Sequence, residues 1–185
     1  MLQTKSITKD IKNDQATFNQ IKQLYKSAFP KQEQAPIPWL LSMTKKDTVK
    51  FDAYYDDDVF VGITYTLSFD GVTYLWYFAT SSELRGKGYG SQILHHLNEC
   101  FPNDRIVLNL EVQDASKSDS EMRKKRKEFY IRNGYTLADY SCIFNRNHLD
   151  VMFTHGAVTK SEFLSIFKHN FNPIMHFLTK PKIVD

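Results

Sequence analysis

Residues 81–97 read SSELRGKGYGSQILHHL, with glycines at 86, 88 and 90 and the cations Arg85 and Lys87 set among them, directly ahead of an amphipathic run. Glycines this closely spaced let a backbone approach an anion without side-chain obstruction. The N–H groups of the following helix's first turn lack intrahelical acceptors and point the same way. A phosphate is the natural guest. An ATPase P-loop requires G-x-x-x-x-G-K-[ST], whereas Lys87 lies between glycines with no Ser or Thr after it. A dinucleotide fingerprint requires G-x-G-x-x-G, and counting from Gly86 the last position falls on Ser91. Glu111, at a later strand end, could imitate the ribose-binding acid of that motif, so the dinucleotide reading stays open at this point. The third pattern, R-x-x-G-x-G over Arg85, Gly88 and Gly90, follows an apolar strand and precedes a helix, and it fits best.

Other reactive side chains form no site by spacing alone. The histidines, at 95, 96, 148, 155, 169 and 176, show no H-E-x-x-H or Cys/His arrangement, so no metal is expected. The two cysteines, Cys100 and Cys142, make no C-x-x-C pair and match no nucleophile motif, which suits reduced thiols in a cytoplasmic protein.

The elements that must hold the glycine turn can be read around it. DQATFNQIKQLYKSAF carries Phe18, Ile21, Leu24, Tyr25 and Phe29 at helical steps after an Asp14 N-cap, and Pro30 stops it. Pro36 and Pro38 then lead into a second short helix. TVKFDAYY, DDDVFVGITYTLSF and GVTYLWYFAT are rich in β-branched and aromatic residues and separated by Asp-rich or Asp-Gly punctuation, which predicts an antiparallel meander. After the turn, Tyr89, Ile93, Leu94, Leu97 and Phe101 form a helical stripe, and RIVLNLEV gives a strand from about residue 105 to 112. EMRKKRKEFYIRNGY is a third helix, with Met122, Phe129 and Tyr130 near one face and Gly134 as its stop. YTLADYSCIFNRNHLDVMFTHG supplies two further strands, and VTKSEFLSIFKHNF opens with a capping box from Thr159 to Glu162. The class is α+β, with one mixed, mostly antiparallel sheet flanked by helices and an extra C-terminal helix and tail.

FATSSELRGKGYGSQIL resembles the acetyl-CoA pyrophosphate loop of the GNAT superfamily of acyl-CoA N-acyltransferases, and LNLEV and EFYIRNGY resemble the next strand and the helix-to-strand junction of that family. The resemblance implies the GNAT fold over residues 1–155; residues 156–185 lie outside it and are expected to form a helical extension packed on the same domain. It implies acetyl-CoA as cofactor, with the main chain of Phe78, Ala79 and Thr80 holding the pantetheine arm. The amides of Arg85, Gly86, Lys87, Gly88, Tyr89, Gly90 and Ser91 would hold the pyrophosphate.

An alkyl amine with a pKa near ~10 must lose a proton before it attacks a thioester, and the departing thiolate must regain one. Strand alternation puts Glu111 near the C-terminal end of RIVLNLEV, and the resemblance makes it the general base, with a salt-bridged surface carboxylate as the other reading. Tyr130 matches the family's tyrosine and would be the general acid, or else an aromatic core residue. Many relatives carry an asparagine seven residues ahead of that tyrosine; here the position is Arg123. The acceptor channel would be flanked by Phe29, Glu33, Trp39, Tyr65 and Tyr140.

The expected function is therefore direct acetyl transfer from acetyl-CoA to a primary amine of a small molecule or peptide. The alternative is a non-catalytic acyl-CoA-binding module. At 185 residues and 42% apolar content the chain suffices for one well-packed core, and no run approaches the ~18 apolar residues of a membrane span. A formal charge of +3 gives no strong nucleic-acid footprint, and the RKKRK run at 123–127, which could touch the cofactor's 3'-phosphate or a nucleic acid, reads as a solvated helix face. The tail could serve as a lid or as a homodimer contact.

Overall fold

The computed structural model describes residues 2–184, the side chain of Leu178 excepted. Eight strands, β1 (Gln3–Ser6), β2 (Val49–Asp56), β3 (Val59–Phe69), β4 (Val72–Thr80), β5 (Arg105–Glu111), β6 (Thr136–Phe144), β7 (Asn147–Thr154) and β8 (Lys182–Val184), hydrogen-bond in the order β1-β2-β3-β4-β5-β7-β6-β8. Six α-helices accompany them: α1 (Gln15–Ala28), α2 (Ile37–Met43), α3 (Tyr89–Cys100), α4 (Ser120–Arg132), α5 (Lys160–Asn170) and α6 (Pro173–Thr179). The sheet is mixed and mostly antiparallel, as the sequence leads one to expect. The chain divides into two compact units, one running to Leu67 and from Leu75 to Glu99, the other from Ser68 to Tyr74 and from Cys100 onward.

In the first unit the Asp14 carboxylate accepts from the Thr17 amide at 3.1 Å and starts α1, which buries Ile21, Leu24 and Tyr25. α2 buries Leu40, Leu41 and Met43, and α3 buries Ile93, Leu94 and Leu97. Each such side chain contributes roughly 1.5–3 kcal/mol relative to exposure. β2 and β3 pair antiparallel with a register shift between Tyr54 and Tyr55, beside Gly62. A Cβ on Gly62 would lie 2.5 Å from the Ala79 carbonyl oxygen and 3.2 Å from the Thr80 Cα, so only glycine lets β3 pass this close to the end of β4.

In the second unit Val72, Thr73 and Tyr74 of β4 pair in parallel with Arg105, Ile106 and Val107. β7 lies between β5 and β6, with Glu111 opposite Leu149 and Cys142 opposite the same leucine. Ile106, Val107, Leu108 and Leu110 are all buried, so β5 is covered on both faces and reads as a continuous apolar run. The capping box at Thr159 and Glu162 is present, and α5 buries Phe163, Ile166 and Phe167. The Phe163 ring packs 5.7 Å from that of Tyr74, and Asn170 Nδ2 donates to the Ser68 and Ile166 carbonyls at 3.2 and 3.0 Å.

The structure adds β1, α6 and β8 to the expected elements. All four residues of β1 are exposed, so no alternation marks it, and β8 has only three residues. α6 does carry a signal, an Asn172 N-cap followed by Pro173 at the first helical position. Of the three residues expected near one face of α4, Tyr130 is buried and Met122 is 53% exposed.

Candidate active site

The glycine turn sits wholly in the first unit. Leu84 and Tyr89 pack at its two ends against the buried cluster of Tyr54, Val61 and Ile93, and so does Phe78. The Tyr89 hydroxyl donates to the Asp56 carboxylate at 2.6 Å. Between these anchors Gly86 and Gly88 take φ values of +78° and +83°, the left-handed region that glycine adopts without strain. A Cβ at either position would meet nothing within 4 Å, so the main chain there is open to approach.

The amides of Arg85 and Lys87 bond at 3.4 Å to the carbonyls of Ser82 and Leu84, and Gln92 N–H bonds to Gly88 at 3.1 Å as the first turn of α3 closes. Among the described residues no protein acceptor takes the amides of Gly86, Gly88, Tyr89, Gly90 or Ser91. Five donors, an exposed Arg85 and Lys87, and the positive end of α3 together fit a diphosphate. Phe78, Ala79 and Thr80 end β4 immediately before this turn, with Ala79 buried beside Gly62.

In the second unit Glu111, the last residue of β5, has its carboxylate ion-paired with the Arg126 guanidinium. Tyr130 lies one turn further along α4 and is buried. Burial pushes its hydroxyl up to about 12; Arg126 pulls the other way and Glu111 adds to the rise. The ring is fixed by the end of its helix. Tyr135 N–H bonds to the Tyr130 carbonyl and Gly134 N–H to the Ile131 carbonyl, each at 3.0 Å, with Gly134 at φ +85°. That is a Schellman cap, and the Tyr130 and Tyr135 rings supply its apolar contact at 5.6 Å.

The basic run differs from the solvated face expected of it. Arg123 Nε donates to Asp119 at 2.9 Å and its Nη1 to the Val112 carbonyl at 3.2 Å, while Lys127 pairs with Asp150 at 3.2 Å. Of the run, Lys124 and Lys125 are exposed, and the other three are half-buried. Three of the five cations therefore tie α4 to the sheet: Arg126 through Glu111 at the end of β5, Arg123 through the Val112 carbonyl just after it, and Lys127 through Asp150 of β7. At the position of the family's asparagine, the Arg123 side chain is committed to these structural contacts.

The residues expected around the acceptor channel fall in different settings. The Tyr65 hydroxyl donates to the Leu40 carbonyl at 3.1 Å, and that of Tyr140 to the Val158 carbonyl at 3.0 Å; both rings are buried. Phe29 packs 4.9 Å from Tyr77, Trp39 packs 6.0 Å from Trp76, and the Glu33 carbonyl accepts from the Tyr77 hydroxyl at 2.7 Å. Sequence reading missed Gly62 and Arg126. Each left a trace: an isolated glycine in a strand pattern, and a cation four residues ahead of the tyrosine on one helix face.

Residues 50–137, from the start of β2 to the beginning of β6, match the family model described as an acetyltransferase (GNAT) domain. Over that stretch the chain carries a GNAT acetyltransferase domain. A structure described as a GNAT-family acetyltransferase from Bacteroides thetaiotaomicron is 26% identical, with a TM-score of 0.71, and the match covers 94% of this chain and 98% of that one. An aminoglycoside 6'-N-acetyltransferase solved with coenzyme A shares the GNAT fold at 15% identity and a TM-score of 0.64, covering 82% and 96%. The PaiA N-acetyltransferase of Thermoplasma acidophilum, also solved with coenzyme A, does so at 13% identity and a TM-score of 0.57, covering 83% and 98%. No curated protein sequence matches the chain.

Proposed function

We propose that this GNAT protein is an acetyl-CoA-dependent N-acetyltransferase that moves an acetyl group directly onto a primary amine. The observation that carries the reading is the open main-chain cradle of Gly86 and Gly88 ahead of α3, whose amides have no protein acceptors. Gly86, Gly88, Tyr89, Gly90 and Ser91 would hold the diphosphate, with Arg85 and Lys87 adding charge. Phe78, Ala79 and Thr80 would hold the pantetheine arm. Acetyl-CoA, when bound, supplies the acetyl group as an activated thioester.

The residues of this chain then handle protons. Glu111, held by Arg126, takes the proton of the acceptor ammonium, directly or through a water. Tyr130, kept neutral by burial, holds its proton for the leaving sulfur. Phe29, Glu33, Trp39, Tyr65 and Tyr140 complete the proposed acceptor surroundings, the buried tyrosines as support. We place the protein in the cytoplasm, where an exposed cysteine such as Cys100 stays reduced.

A ligand that binds only the native state raises the melting temperature, and acetyl-CoA should do so. Incubation with acetyl-CoA and a panel of amines should release free thiol. A thermal shift without thiol release from any amine would replace this reading with a non-catalytic acyl-CoA-binding module. No shift at millimolar acetyl-CoA would remove both.

A further inference from the structure

Away from the glycine turn, the first unit holds an open surface cavity of about 470 Å³ lined by Lys22, Tyr25, Lys26, Lys31, Gln34 and the segment 35–38. Its volume is in the range of small-molecule sites. Lys22 and Lys26 stand four residues apart on α1, hence on one face, and Lys31 follows in the 3-10 turn after Pro30. No carboxylate is among its lining residues. Elsewhere lysines find acids, as in Lys5 with Asp14 at 2.7 Å and Lys127 with Asp150 at 3.2 Å. Among the described residues none of Lys22, Lys26 or Lys31 is in an ion pair. Like charges four apart on a helix repel, and an anion between them relieves the repulsion.

The frame of the cavity is fixed by hydrogen bonds. Gln34 Nε2 donates to the Phe29 carbonyl at 2.6 Å and the Lys26 carbonyl at 3.2 Å. Tyr25 donates to the Ala35 carbonyl at 3.1 Å, and the Tyr77 hydroxyl receives the Ala35 amide at 3.1 Å. Three exposed lysines thus line the cavity beside a wall that includes the apolar residues Ala35, Pro36, Ile37 and Pro38. Tyr77 also ties this wall to β4 one residue before Phe78.

We infer that this cavity is a second ligand site, one for a small amphipathic anion: a carboxylate or phosphate ester on an apolar body. The anion is either part of the amine acceptor or a separate ligand. The apolar wall receives the body, and the lysines receive the charge as point cations that need no fixed geometry.

The test is calorimetric titration of the full chain with phenyl phosphate and with benzoate, against neutral benzyl alcohol. Both anions should bind, more weakly as salt rises, and benzyl alcohol should not. The K22Q/K26Q double variant should bind them about tenfold more weakly. Equal affinity in the double variant, binding of the alcohol as tight as of the anions, or no anion binding at millimolar concentration each overturns the inference. Acetylation of phenylalanine against phenethylamine separates the two sources. If the acceptor carries the anion, phenylalanine has the lower KM and the double variant abolishes the difference; if the anion is separate, both amines behave alike in both proteins. The acetyl-CoA thermal shift should be the same in wild type and variant. Its absence from both would undo the acetyl-transfer reading while the anion titration still stands.

Discussion

The Glu111 carboxylate, at the last residue of β5, is ion-paired with the Arg126 guanidinium one helical turn ahead of Tyr130 on α4. As the proposed base, Glu111 would be oriented by this ion pair before any acceptor arrives. E111Q should lower kcat by about 10²-fold or more and leave the acetyl-CoA thermal shift intact. R126Q keeps the carboxylate but frees it, and should lower kcat by about tenfold. Full turnover in E111Q would remove the glutamate from the mechanism.

Tyr130 depends on Gly134 for its place. At φ +85°, alanine at Gly134 costs roughly 1–2 kcal/mol and disturbs the cap that fixes the tyrosine. G134A should therefore lose both melting temperature and turnover, whereas Y130F should lose turnover with little change in melting temperature. A G134A enzyme that is less stable but fully active would show that the cap does not position the phenol.

Two glycines of the first unit should respond in opposite ways. Alanine at Gly62 would drive a methyl into the Ala79 carbonyl at 2.5 Å, so G62A should melt several degrees lower. Alanine at Gly88 meets open space but carries the strain of φ +83°, so G88A should cost only about 1 kcal/mol while weakening acetyl-CoA binding markedly. Thermal melts with and without acetyl-CoA measure both, and normal cofactor affinity in G88A would argue against the diphosphate cradle.

The Glu162 carboxyl lies at about 2, below the usual carboxylate value, first because Arg105 donates to it at 2.7 Å and then because Thr159 N–H does so at 2.9 Å. A depressed carboxylate stabilises the fold above its unfolded-state pKa and loses that effect as pH falls through the folded value. With a third of the side chain exposed, solvent screening leaves about 1 kcal/mol. Gln at 162 can still accept from Thr159 through its single amide oxygen, so E162Q keeps the capping box but loses the charge and the oxygen that accepts from Arg105. It should melt about 2–4 °C below wild type at neutral pH, with the gap closing as pH falls from about 4 toward 2. A gap that does not change with pH would mean that the ion pair contributes nothing.

Local chemistry was legible in the sequence because its causes are local. The Asp14 cap, the Thr159–Glu162 box, the Gly134 stop and the glycine turn each depend on residues within about a turn of one another, and all four are formed. The alternating strands of the meander show in the same way. β1 and β8 left no such mark, since edge strands of three or four residues exist only through the partners they pair with.

By itself, then, the sequence determined the class of fold, the glycine cradle and the two proton-handling candidates. Tertiary structure alone decided that β7 enters between β5 and β6, that Glu111 meets Arg126, and that three of five cations in a run which reads as solvent-facing turn toward acids and a carbonyl. It likewise decided that Lys22, Lys26 and Lys31 surround one cavity. The reason is physical: a charge finds its partner through space, across strands and helices far apart in the chain, and no periodicity in the sequence records which partner folding brings near.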